Sequence, residues 1–136
     1  MNILVIDGQG GKLGCQMVKS IAEKYPDARL MAVGTNSAAT VAMAKAGAHQ
    51  AATGENPLIV ACRKADIIIG PIGIVIADSL FGEITPAMAV AVAQADAVRI
   101  LMPVNRCDNI VAGVPDLSLT ALILDAMAKL ESVMQR

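Results

Sequence analysis

The segment that most constrains this chain is its beginning. An apolar run, Asn2-Ile3-Leu4-Val5-Ile6-Asp7, leads directly into Gly8-Gln9-Gly10-Gly11-Lys12-Leu13-Gly14. A strand, a glycine turn and a helix in that order make a phosphate seat. Glycine lets the backbone approach a pyrophosphate closely, and the helix start aims unpaired N–H groups at its charge. The helix continues to about Tyr25, where Pro26-Asp27 stops it. Leu13, Met17, Val18, Ile21 and Ala22 recur at helical spacing on its inward side.

The rest of the chain alternates in the same way. After the first strand (2–6), strands are predicted over 29–33, 49–52, 66–69 and 98–102, with a sixth at 109–114. Helices are predicted over 38–46, 57–64, 86–95 and 117–134. Asn56-Pro57 and Thr85-Pro86 supply a cap followed by a first-turn proline, and Pro115-Asp116 caps the last helix. Gly70-Pro71-Ile72-Gly73 breaks the fourth strand, and 74–81 reads as a short helix or irregular cover. Strands alternating with helices imply a parallel sheet with right-handed crossovers. Six strands fit the order 3-2-1-4-5-6; without the sixth, a flavodoxin-like order is the alternative. The expected fold is α/β: a single, three-layer Rossmann-like domain over 1–136 with five or six parallel strands.

Composition narrows the partners. The chain has 136 residues, 55% of them hydrophobic, and a net charge of -1. That length holds one core. No run approaches the roughly 18 apolar residues of a membrane span, so strands covered on both faces account for the hydrophobicity. The surplus favours a homo-oligomer. No basic stripe suggests nucleic acid. Cys15, Cys62 and Cys107 are odd in number and form no CxxC, and Met1 leads straight into the first strand. A cytoplasmic location without disulfides is therefore expected, and no metal site is supported.

The loops after the strands line up along one sheet edge, where a site is expected. The pattern G-x-G-x-x-G fails at Leu13, but Gly8, Gly11 and Gly14, or Gly8, Gly10 and Gly14, match spacings of NAD(P)-type variants. The P-loop pattern fails because Leu13 follows Lys12. Gly8, Gln9, Gly10, Gly11, Lys12 and Gly14 are the expected phosphate seat. Thr35, Asn36 and Ser37 would meet the adenosine ribose, and Gly70, Pro71 and Gly73 the far end of the ligand. No acidic residue ends the second strand, which counts against NAD specificity, and no arginine stands there for a 2′-phosphate. Each feature also has a plainer account. The glycines could serve packing, Lys12 solvation, and Asn36 and Ser37 helix capping.

Among other reactive groups, Cys15 falls in the first turn of the first helix, where a thiol is activated; a small buried residue is the favoured account. His49 is expected to be structural. Glu55 is the acidic residue best placed for a ligand, ahead of Asp78 and Glu83, and Asn105 and Arg106 follow the fifth strand. No catalytic set can be named.

The runs Thr53-Gly54-Glu55-Asn56-Pro57 and Cys62-Arg63-Lys64-Ala65-Asp66-Ile67-Ile68-Ile69-Gly70-Pro71-Ile72-Gly73-Ile74-Val75, with Val5-Ile6-Asp7-Gly8-Gln9-Gly10-Gly11 and Val33-Gly34-Thr35-Asn36-Ser37, resemble a family of short, uncharacterised bacterial proteins. The resemblance covers nearly the whole chain. It implies a stand-alone Rossmann-like domain, chiefly from anaerobic bacteria, and no established activity. The leading expectation is a binding or regulatory module for a nucleotide or dinucleotide, NAD(P) first. The alternatives are an oligomeric enzyme acting on a phosphorylated or carboxylated metabolite at a subunit interface, and a non-catalytic scaffold.

Overall fold

Strands β1 (Asn2–Asp7), β2 (Arg29–Gly34), β3 (Gln50–Thr53), β4 (Ile67–Pro71) and β5 (Val98–Met102) pair in the order β3-β2-β1-β4-β5, every pair parallel. The structure is a computed structural model that describes residues 1–104 and 108–136. Helices α1 (Lys12–Lys24), α2 (Ser37–Ala46), α3 (Glu55–Lys64), α4 (Pro86–Gln94) and α5 (Leu119–Met134) connect or follow the strands. A short 3-10 turn, Ile72–Val75, follows β4.

Side chains alternate across a strand, so β1 feeds two cores. Ile3 and Val5 pack with Leu13, Met17, Val18 and Ile21 of α1 and with Ile123 and Leu130 of α5. Leu4 and Ile6 pack on the opposite face with Leu58 of α3 and Met88 and Val92 of α4. These are the two outer layers of a three-layer Rossmann-like domain. The connection through α3 changes faces between β3 and β4. The turn after β1 and the segment after β4 therefore meet at the carboxyl edge, where the strand order reverses.

Several local expectations are corrected. Residues 109–114 are turn and irregular backbone, so the sheet ends at β5. Ile110 is exposed and Gly113 has a left-handed φ of 80°, which does not suit a strand laid on a core. The five remaining strands keep the order 3-2-1-4-5, and the flavodoxin-like order does not occur. Helix α3 starts at Glu55, because Pro57 in the first turn lacks only an amide that would have no helical partner. Helix α5 starts at Leu119, since Ser118 Oγ accepts the Ala121 amide at 3.1 Å. Gly70 and Pro71 stay in β4, opposite Leu101 and Met102. His49 is structural: its Nδ1 accepts the Leu30 amide at 3.0 Å, and its own amide donates to the Leu30 carbonyl at 2.8 Å.

Candidate functional site at the glycine turn

The turn after β1 is held by its own chain. Gly11, with φ 74°, caps α1 without a side chain, and its amide donates to the Gly8 carbonyl at 2.9 Å. The missing cap comes from Asp7. Its Oδ2 accepts the Gly14 amide at 2.7 Å and its Oδ1 the Gly8 amide at 2.8 Å. A side chain at Gly14 would stand 2.7 Å from both Asp7 Cβ and Met43 Sδ, so this glycine serves the close seating of α1 on β1. Asp7 is buried. Burial pushes its carboxyl above the ordinary range; the Gly14 and Gly8 amides oppose that, and the charge of Glu83 adds to it.

A second carboxylate reaches the same turn from the segment after β4. Glu83 Oε1 accepts the Gln9 amide and the Thr35 hydroxyl, both at 2.7 Å, and Oε2 accepts Asn36 Nδ2 at 3.2 Å. Desolvation pushes Glu83 up, but these three donors together hold its carboxyl below the ordinary range. Asn36 also caps α2, its Oδ1 accepting the Ala39 amide at 2.9 Å, and its Nδ2 donates to the Gln9 carbonyl at 2.9 Å.

Three amides remain. Those of Gly10, Lys12 and Leu13 have no hydrogen-bond partner among the described residues. They border a hollow of about 270 Å³ lined by Asp7, residues 8–13, Val104 and Leu119. The positive end of the α1 dipole faces this space, with the exposed Lys12 beside it. An apolar cleft of about 120 Å³ runs along β2, β3 and α3 and contains none of the glycine-turn residues.

The structure brings Gly8, Gln9, Gly10, Gly11, Lys12 and Gly14 together with Thr35 and Asn36. Ser37 is exposed at the start of α2. Gly70, Pro71 and Gly73 are buried; Gly73 lies against Ser79 and Leu80, and Ser79 Oγ donates to the Gly73 carbonyl. Glu55 stands exposed in the first turn of α3; the carboxylate at the glycine turn is Glu83. Sequence reasoning does not name Asp7 as a site residue, and it ranks Glu83 behind Glu55. An acid abutting the glycines was a usable signal for Asp7. Glu83 lies 74 residues from Gln9, and no local pattern marks it. Cys15 is half-buried; Cys62 is buried, which pushes its thiol up to about 11. Asn105, Arg106 and Cys107 lie outside the described residues.

A family model described as a domain of unknown function (DUF3842) matches residues 2–135. The chain belongs to the DUF3842 family. A comparison with curated proteins gives no match. Among the described residues of this DUF3842 domain, no helix is long and apolar enough to cross a membrane.

Proposed function

We propose that this DUF3842 domain binds a nucleotide, of the NAD(P) type first, as a binding or regulatory module. The observation that carries the reading is the unpaired amide set of Gly10, Lys12 and Leu13 at the start of a 13-residue helix, open to a hollow at the sheet's reversal point. Amides at a helix start are suited to phosphate oxygens, and Lys12 adds a positive charge. The hollow is near the small end of ligand pockets, about 300 Å³ and upward, which suits a phosphate group better than a whole dinucleotide.

A scaffold reading draws support from a different observation: Asp7 and Glu83 already take the amides of Gly8, Gln9 and Gly14. Thermal unfolding against NAD, NADP, ATP, FAD and S-adenosylmethionine separates the two. A ligand bound only to the folded state raises Tm with concentration. At least one nucleotide is expected to do so in the wild type and less in Lys12→Ala. Flat responses to all five overturn the nucleotide reading. Self-association belongs to the same proposal, with Val41, Val90 and Leu124 left exposed on α2, α4 and α5; light scattering on the purified chain checks it.

A further inference from the structure

The segment 76–84 crosses the carboxyl edge from β4 to the end of β2. Three buried side chains anchor it: Leu80 and Ile84, and Ser79, whose hydroxyl donates to the Gly73 carbonyl. The Asp78 amide donates to the Ile84 carbonyl at 2.8 Å, and the Ile84 amide to the Ser79 carbonyl at 3.2 Å, closing a tight loop. Leu80 Cδ1 lies 2.9 Å, and Glu83 Oε1 2.6 Å, from the point a Cβ on Gly8 would occupy. This segment covers the first glycine of the turn.

Between the anchors the backbone bonds only within the segment: the Gly82 amide donates to the Asp78 carbonyl at 3.1 Å and the Glu83 amide to the Leu80 carbonyl at 3.2 Å. Phe81 is fully exposed, at 102%, and Gly82 is exposed. Asp78, Leu80 and Phe81 have φ of 66°, 55° and 56°, a left-handed backbone that L-residues avoid. Among the side chains of residues 81–83, only Glu83 is tied to the rest of the fold. Its three donors, an amide, a hydroxyl and a side-chain amide, come from two different loops and converge on one carboxylate. Such a set is equally suited to phosphate oxygens. It lies at the end of β2, where a dinucleotide crevice places the adenosine ribose.

We propose that Glu83 is an internal stand-in for a ligand anion: its carboxylate fills a seat made by the Gln9 amide, Thr35 hydroxyl and Asn36 side-chain amide, and the tip 81–83 swings aside when the 2′-phosphate of a nucleotide takes that seat. The inference rests on the nucleotide-binding reading of the same edge. It gives the second strand's missing acid a different meaning. While Glu83 is seated, its charge repels a 2′-phosphate and its bonds use up the donors. Once displaced, it leaves three donors with no carboxylate among them.

NADP is the probe, with NAD as the comparison lacking the 2′-phosphate. Removing an internal competitor raises apparent affinity by the inverse of the competent fraction. Glu83→Ala is expected to bind NADP about tenfold or more tightly than the wild type, with a smaller gain for NAD. In the wild type, NADP is expected to speed hydrogen exchange across residues 81–83. Nucleotide binding with equal or weaker NADP affinity in Glu83→Ala, or unchanged exchange at 81–83, overturns the stand-in role and leaves the nucleotide reading in place. If neither form binds any nucleotide, both readings fall. If Glu83→Ala does not fold, wild-type exchange decides alone.

Discussion

Asp7 shows how one residue can be both a strand end and a helix cap. Its carboxylate joins β1 to the third residue of α1, and it does so while buried. Because burial raises its folded pKa, the folded protein holds a proton at pH values where the unfolded chain has released it. Stability from this group is therefore fully present below the ordinary value of 3.8 and is lost as pH rises toward the folded value. Asp7→Asn abolishes that slope. It also offers one acceptor oxygen to two amides, at a cost of about 1–2 kcal/mol. Urea midpoints of both forms across this pH window check the two effects together: the wild type's advantage over the variant is largest at low pH and shrinks as pH rises. Glu83 has the opposite sign, since a carboxyl held below its ordinary range stabilises the fold above that range.

At the scale of elements, caps explain where the helices start. Thr85 accepts the Met88 amide at 3.1 Å with Pro86 next in line, and this start was legible because cap and proline are adjacent in sequence. For α3 and α5 the same signature misleads by about two residues. Pro57 is tolerated inside the first turn, and Ser118 stands nearer the apolar face of α5 than Asp116 does. That face holds Leu122, Ile123, Ala126 and Leu130. Ser118→Ala is expected to cost about 1 kcal/mol, the typical loss of an N-cap acceptor. Urea denaturation should show a lower midpoint with an unchanged m-value.

The whole molecule is a sheet with apolar layers on both sides, and its stability should be concentrated there. Ile69 is fully buried in the interior strand β4, paired with Val5 on one side and Ile100 on the other. Ile69→Ala is expected to cost about 2–5 kcal/mol. Phe81, although the larger apolar residue, contacts solvent alone, and Phe81→Asn should change stability by no more than about 0.5 kcal/mol. Paired denaturation curves test this contrast.

Sequence by itself determined the layered parallel architecture, because continuous apolar strands between amphipathic helices have few ways to bury both faces. It also determined the glycine turn, because Asp7 and Gly8–Gly14 are neighbours along the chain. Tertiary structure alone decided how that turn is occupied. Thr35 and Glu83 are 48 residues apart, and only the return of the chain from β4 over the carboxyl edge places a carboxylate on the Gln9 amide. Short-range patterns encode the backbone's local shape; contacts between distant loops depend on where the sheet order reverses, which no stretch of residues carries alone.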